Sequence, residues 1–214
     1  SVNAIKRAFG WSWSHGHETW WFCLEGNGLF HSSAMMETIA RGREVCVETL
    51  NEGGASFADV AVFADPAFHI PNDALNVLVR QRFERWVLPR TGVAWDQYHM
   101  ADIENPALPS YRLYVFLNAH AVTAGQRAAI KSVCRRKGAT ALFLGAAGYY
   151  NGENEGVAEM ADLTGIAFSE HVFKERGPAP VNLADGGALP DLLLPRVFVP
   201  DDPDAQAFGT YRGV

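Results

Sequence analysis

The chain has 214 residues, 48% of them hydrophobic and 20% charged, with a formal charge of -6 and a pI near 5.6. That composition supplies one good core, or one domain and a fragment of another, and excludes a disordered chain. An acidic balance without a basic field argues against nucleic acid and anionic membrane as partners, and no apolar run approaches the roughly 20 residues a membrane-spanning helix needs.

In chain order, Val2, Ile5, Ala8 and Phe9 mark a short amphipathic helix that runs out at Gly10 or in Trp11–Trp13. Thr19 to Leu24, TWWFCL, reads as a dense aromatic strand closed by Glu25-Gly26-Asn27-Gly28. Ser32 or Ser33 then caps a helix through Met36, Ile39, Val45 and Leu50. Gly53-Gly54 breaks that pattern, which places a boundary between a fragment over 1–54 and a domain over 55–214.

The second part reads as repeated βα units. Asp59–Phe63 is a strand, Asn72 or Asp73 caps a helix through Leu75, Leu78, Val79, Phe83 and Trp86, and Pro89 ends it. Val93–Met100 is a strand and Ala101–Ser110 a loop. Tyr111–Leu117 is a continuous apolar run, the pattern of a strand buried on both faces. Thr123 and Gln126 form a capping box ahead of Ala129, Ile130, Val133 and Cys134 at helical spacing, and Arg135, Arg136, Lys137 and Gly138 carry the signals of a helix end. Ala139–Leu144 is a second buried strand, followed by the loop Gly145-Ala146-Ala147-Gly148. A helix over Gly156–Leu163, a strand over Ile166–Phe173 and short edge strands or packed loops at Leu189–Leu194 and Val197–Val199 complete an α/β domain with a mostly parallel sheet.

The loop after the Ala139–Leu144 strand is where open α/β sheets place ligands or catalytic groups. Its glycines suit a nucleophile elbow, but Ala146 and Ala147 carry no group a base could activate, so it reads as a degenerate elbow made of Gly145, Ala146, Ala147 and Gly148. No catalytic residue is assigned. Cys23, Cys46 and Cys134 lack metal or redox spacing and read as reduced core thiols of a cytoplasmic protein, with Cys23 the least easily dismissed. His15 and His17 fall short of a metal site without a second cluster, and no metal or other cofactor is expected. Asp65 with His69 and Asp96 with His99 read as solvated loop residues, and no pair of carboxylates announces glycoside hydrolysis. Trp20 and Trp21 beside Glu25 and Asn27 are the parts of a carbohydrate subsite, rings for the C–H faces of a sugar and polar groups for its hydroxyls; filling of a core or interface is the plainer alternative.

One stretch carries a resemblance. Leu88–Gly152, LPRTGVAWDQYHMADIENPALPSYRLYVFLNAHAVTAGQRAAIKSVCRRKGATALFLGAAGYYNG, with MADLTGIAF over Met160–Phe168, resembles the C-terminal part of β-galactosidase-like glycoside hydrolases similar to glycoside hydrolase family 42. Thr19–Ser33 resembles the last strand and loop of their catalytic barrel. The resemblance implies a flavodoxin-like, class I glutamine-amidotransferase-like three-layer sandwich of the trimerisation-domain type, without its nucleophile, preceded by a helix-strand-helix fragment equivalent to the last βα unit of a (β/α)8 barrel. It implies a bacterial, non-catalytic assembly or pocket-shaping role in carbohydrate metabolism. The expected partners are further copies of the chain or a catalytic barrel whose carboxylates this chain lacks, with carbohydrate as a further candidate, and neither nucleic acid nor membrane. Trp20, Trp21, Glu25 and Asn27 become candidates for one wall of a sugar site. Two alternatives remain: a small amidotransferase-like hydrolase using Cys23 or an unrecognised base, and a carbohydrate-binding module built on the tryptophans. The aromatic segment is expected to be buried against a neighbour.

Overall fold

The computed structural model describes residues 1–14, 17, 19–21, 31–53, 55–65, 83–84, 86–174 and 177–214. The chain divides into two units, Ser1–Phe57 and Ala58–Val214.

In the first unit, helix α1 spans Val2–Ser14 and α2 spans Ser33–Glu52. α1 runs past Gly10 and takes in Trp11 and Trp13, which stay largely exposed. The helices meet through Ile5, which is buried, and through Phe9, whose ring lies where a Cβ on Gly42 would stand 3.1 Å away. A side chain larger than hydrogen at Gly42 would push the ring aside, so this glycine sets the close approach of the pair. Ser32 precedes α2 in extended conformation but makes no side-chain cap. Thr19, Trp20 and Trp21 belong to no strand, contrary to the expected aromatic strand; its remainder, 22–24, lies outside the described residues, as do Glu25 and Asn27.

The second unit is built on four parallel strands: β1 (Val60–Ala64), β2 (Trp95–His99), β3 (Leu113–Phe116) and β4 (Thr140–Phe143), in spatial order β2-β1-β3-β4. Successive side chains of a strand point to opposite faces, and here each face has its own core. Ala61, Phe63, Tyr114 and Phe116 pack with Met100, Ile103, Val122, Ile130, Ala147 and Leu163 on one face. Val60, Val62, Ala64, Val115 and Leu117 pack with Leu88 on the other. Layers on both faces make a three-layer α/β sandwich, and aromatic rings fill the first core in a row: Phe63 to Phe116 at 5.4 Å and Phe116 to Phe143 at 5.0 Å.

The connections follow local chemistry with three departures from the sequence reading. Helix α3 (Leu88–Thr91) carries Pro89 at its N-terminal end, a position that tolerates proline, so Pro89 does not stop the helix; helical winding precedes it at Phe83, Glu84, Trp86 and Val87, and the expected helix ahead of it falls mostly outside the described residues. The Ala101–Ser110 loop opens with a 3-10 helix, Met100–Glu104, whose Met100 and Ile103 are buried. β4 is half-exposed rather than buried on both faces. The Thr123–Gln126 capping box forms, with Thr123 Oγ1 accepting from Gln126 N–H at 3.2 Å and Gln126 Oε1 accepting from Thr123 N–H at 3.0 Å, and it starts helix α4, Ala124–Cys134. Helix α5 (Val157–Thr164) leads to β5 (Phe168–Val172), which pairs antiparallel with β8 (Arg196–Pro200). β6 (Ala179–Leu183), β7 (Ala188–Leu192) and β9 (Gly209–Tyr211) form a third, antiparallel sheet in the order β7-β6-β9.

Candidate functional site

In a parallel sheet the ligand end is the carboxyl edge of the strands, at the point where strand order reverses. Here the order reverses at β1, with β2 on one side and β3 on the other. Asp65 directly follows β1, and Asn118 stands two residues past the end of β3. Asn118 is 6% exposed, and its side-chain amide bonds both ways across the switch point: Oδ1 accepts from Asp65 N–H at 2.7 Å and Nδ2 donates to Asp65 C=O at 2.7 Å. The main-chain donor that could have met a phosphate or carboxylate is already occupied. Asp65 is therefore half-buried and tied to the fold through its backbone rather than a solvated loop residue, and Asp96 likewise accepts from Tyr111 Oη at 2.7 Å within β2. His69 lies outside the described residues.

The loop Gly145-Ala146-Ala147-Gly148 leaves β4 beside this point, and its amides turn inward. Ala147 N–H donates to Gly145 C=O at 3.0 Å, Gly148 N–H to Ala119 C=O at 2.6 Å, and Tyr149 N–H to Ala146 C=O at 3.3 Å. An oxyanion hole needs converging donors left free for the substrate; three consecutive ones are consumed here. Gly148 has φ +70, and a Cβ on it would stand 2.6 Å from Leu163 Cδ2 and 2.8 Å from Leu163 Cβ, so α5 packs on the loop where only glycine fits.

From below, Arg127 holds this loop in place. It sits at 8% exposure on α4 and donates to Gly148 C=O at 3.0 Å, Glu159 C=O at 2.7 Å and Asp162 Oδ2 at 3.2 Å, while its Nε has no partner among the described residues. Lys131 reaches the other Asp162 oxygen at 2.5 Å; this bond above all, and the Arg127 guanidinium besides, hold the Asp162 carboxyl below its ordinary pKa. Above the loop, His120 stacks on Tyr149 at 5.2 Å, Arg196 Nη1 donates to Tyr149 Oη at 3.0 Å, and Arg196 pairs with Glu170 at 2.9 Å. Asn118, Arg127 and this stack escape a motif search. The available signals are a polar residue directly after a buried strand, and a cation three residues before Ile130 on an otherwise apolar helical face.

The other sequence-predicted residues are placed as follows. Trp20 is 76% exposed and Trp21 half-buried. Cys134 is exposed at the end of α4 rather than in the core; its sulfur is nonetheless desolvated enough to push the thiol pKa up, away from the thiolate a nucleophile needs. Cys46 is half-buried, and Cys23 and His15 lie outside the described residues. Among the described residues no group of three His, Cys, Asp or Glu side chains is placed to hold a metal, and no helix is long and apolar enough to cross a membrane.

Strand order 2-1-3-4 with both faces covered defines a doubly wound α/β domain of flavodoxin-like order. No family model matches the chain, and no curated protein does. Solved structures do. The chain is similar to the polyextremophilic β-galactosidase of the Antarctic haloarchaeon Halorubrum lacusprofundi, with TM-score 0.53 and 19% identity over 92% of this chain and 31% of that one. It is similar also to Gan42B, a GH42 β-galactosidase, with TM-score 0.53 and 17% identity over 85% of this chain and 27% of that one. A catalytic mutant of Gan42B from G. stearothermophilus gives TM-score 0.54 and 14% identity over 87% of this chain and 28% of that one. At these identities the likeness is one of fold, and it spans less than a third of each β-galactosidase. A match over 92% of the chain cannot be confined to Ala58–Val214 and reaches into the helical unit as well.

Proposed function

We propose that this chain is a non-catalytic domain of a β-galactosidase-like glycoside hydrolase, serving assembly and the shaping of a neighbouring substrate pocket. The observation that carries this reading is the closed carboxyl edge. Asn118 occupies the switch point, the amides of Ala147 to Tyr149 are spent on carbonyls of the loop and of Ala119, and the position of a nucleophile is held by alanine. A domain that keeps this architecture while filling its catalytic corner has been retained for its surfaces. The likeness to parts of three β-galactosidase structures supports the choice of enzyme class. The purified 214-residue chain is expected to hydrolyse an aryl β-galactoside no faster than buffer. Turnover that follows the protein through chromatography would overturn the reading.

A second reading is favoured by one observation: Trp20, Trp11 and Trp13 are all exposed in the helical unit. Flat rings presented to water suit the C–H faces of a sugar. Tryptophan fluorescence titrated with galactosides separates the two readings, because a saturable change abolished by Trp20→Ala belongs only to a carbohydrate-binding module.

A further inference from the structure

The chain holds two Asn-Gly pairs, Asn27-Gly28 and Asn151-Gly152, and the second lies wholly within the described residues, between the Gly145–Gly148 loop and α5. An asparagine followed by glycine sets a side-chain amide carbon beside a main-chain nitrogen that no neighbouring Cβ shields, and ring closure between them is intramolecular. In a folded chain, its course depends on how the two groups are held.

Here the nitrogen is open and the amide is gripped. Tyr150 and Glu155 form an antiparallel bridge, and Asn151 N–H donates to Asn154 C=O at 3.1 Å, so Gly152 and Glu153 stand at the tip of a tight reversal. Gly152 takes φ +103, a Cβ on it would meet nothing within 4 Å, and its N–H donates no hydrogen bond among the described residues. Asn151 Oδ1 accepts from Glu153 N–H at 2.9 Å and from Asn154 N–H at 2.8 Å, while Nδ2 donates to Glu159 Oε2 on α5 at 2.7 Å. Two main-chain donors converging on one acyl oxygen are what stabilises the oxyanion of acyl transfer. The Gly145–Gly148 loop spends its amides on carbonyls of the main chain; the next turn along aims two at a side-chain amide.

We propose that Asn151 is a self-modification site, converting in the folded chain to aspartate and isoaspartate through a succinimide. Gly152 N gives its proton to solvent and bonds to Asn151 Cγ, and the N–H groups of Glu153 and Asn154 hold the oxyanion that forms on Oδ1. The Cγ–Nδ2 bond breaks, and Nδ2 takes a proton from solvent and leaves as ammonia. Water then opens the ring at either carbonyl, so water enters, ammonia leaves and nothing is oxidised or reduced. The product carries a carboxylate where Nδ2 donated to Glu159. Two like charges then face each other at hydrogen-bond distance, and the tie between this turn and α5 becomes a repulsion. No galactoside takes part, so the proposal stands or falls apart from the assembly role above.

Peptide mapping by mass spectrometry, after the whole chain is held native in mildly alkaline buffer, tests it. The peptide holding Asn151 should lose its amide form with time and appear as aspartate and isoaspartate species, with a matching release of ammonia. Asn154, followed by glutamate, should keep its amide. Asn151→Gln, whose longer side chain closes a ring far more slowly, should abolish conversion at this position. Asn151→Asp reproduces one product and should lower the melting temperature at neutral pH. Glu159→Gln in the same chain should restore most of that loss, because it removes the facing charge and leaves the turn amides in place. A peptide that keeps its amide in the native chain, yet converts once the chain is unfolded in urea, would show that the turn protects Asn151 and would overturn the proposal. A loss in Asn151→Asp that Glu159→Gln leaves unchanged would overturn the switch at α5.

Discussion

The parallel sheet and the helical pair spend their apolar residues in opposite ways. In the sheet, Val62, Phe63, Tyr114, Val115 and Phe116 are essentially out of contact with water, and their neighbours on both faces come from the same unit. In the helical pair only Ile5 and Gly42 are buried, while Leu50 on α2 is 81% exposed and Phe57, beyond α2 in the same unit, 88%. Two crossed helices have one mutual seam, which cannot cover tryptophans placed around the rest of their surface. The sheet unit therefore owes its stability to itself, and the helical unit carries apolar surface left in water.

The sharpest way to break this comparison is to truncate one large apolar side chain on each side. Phe116→Ala empties the middle of the stacked row between Phe63 and Phe143, and should cost about 3–5 kcal/mol, read as a lowered urea midpoint at constant slope. Leu50→Ala, at a position already in water, should move the midpoint by less than about 0.5 kcal/mol. If Leu50→Ala instead cost as much as a core change, the helical pair would be covered in solution and the contrast would be one of missing neighbours rather than of design.

What the sequence made legible follows the same division. β1 and β3 announce themselves because burial on both faces demands an unbroken apolar run, and α4 because Thr123 and Gln126 are a local, reciprocal device. The aromatic run at Thr19 carries an equally dense apolar signal, yet Thr19, Trp20 and Trp21 form no strand, because a strand requires a neighbour to pair with and composition cannot supply one. Pro89 misleads for a related reason: it forbids a helix interior but suits a first turn, and the choice depends on where the turn begins. The Gly145–Gly148 loop is visible as a turn, but not what closes it. Asn118 lies 53 residues from the backbone it staples and Arg127 21 residues from Gly148, and such pairings come from topology rather than spacing.

A medium-sized effect probes the loop itself. Gly148→Ala forces an L side chain into φ +70 and against Leu163, and should destabilise the chain by about 2–4 kcal/mol. A double-mutant cycle tests the contact with Leu163. Leu163→Ala removes Cδ2 and Cγ but keeps the Cβ that stands 2.8 Å from the added methyl, so Gly148→Ala should cost less in that background, with the remainder reporting backbone strain and the Cβ contact. Equal costs in both backgrounds would mean that the loop yields to the new methyl and that α5 does not fix it.

The smallest expected effects come from ion pairs, one in each unit. Arg41 and Glu44 lie 2.9 Å apart on α2 with both side chains mostly in water, and Glu44→Gln should leave the melting temperature unchanged. Asp162 is half-exposed too, but it answers two cations, one of them the buried Arg127 that braces Gly148. Its carboxyl pKa is lowered in the folded chain, first through the Lys131 bond. A lowered pKa means that the unfolded chain takes up the proton first as the solution is acidified. The stabilisation is therefore fully present above the ordinary carboxylate range, near pH 4, and is lost as the pH falls through the folded value. Asp162→Asn should thus lower the melting temperature by the equivalent of about 0.5–1 kcal/mol at neutral pH, solvent screening keeping it small. That difference from the unaltered chain should shrink steadily below pH 4. A difference that persisted undiminished to pH 2 would assign the effect to lost packing around Arg127 instead of to charge.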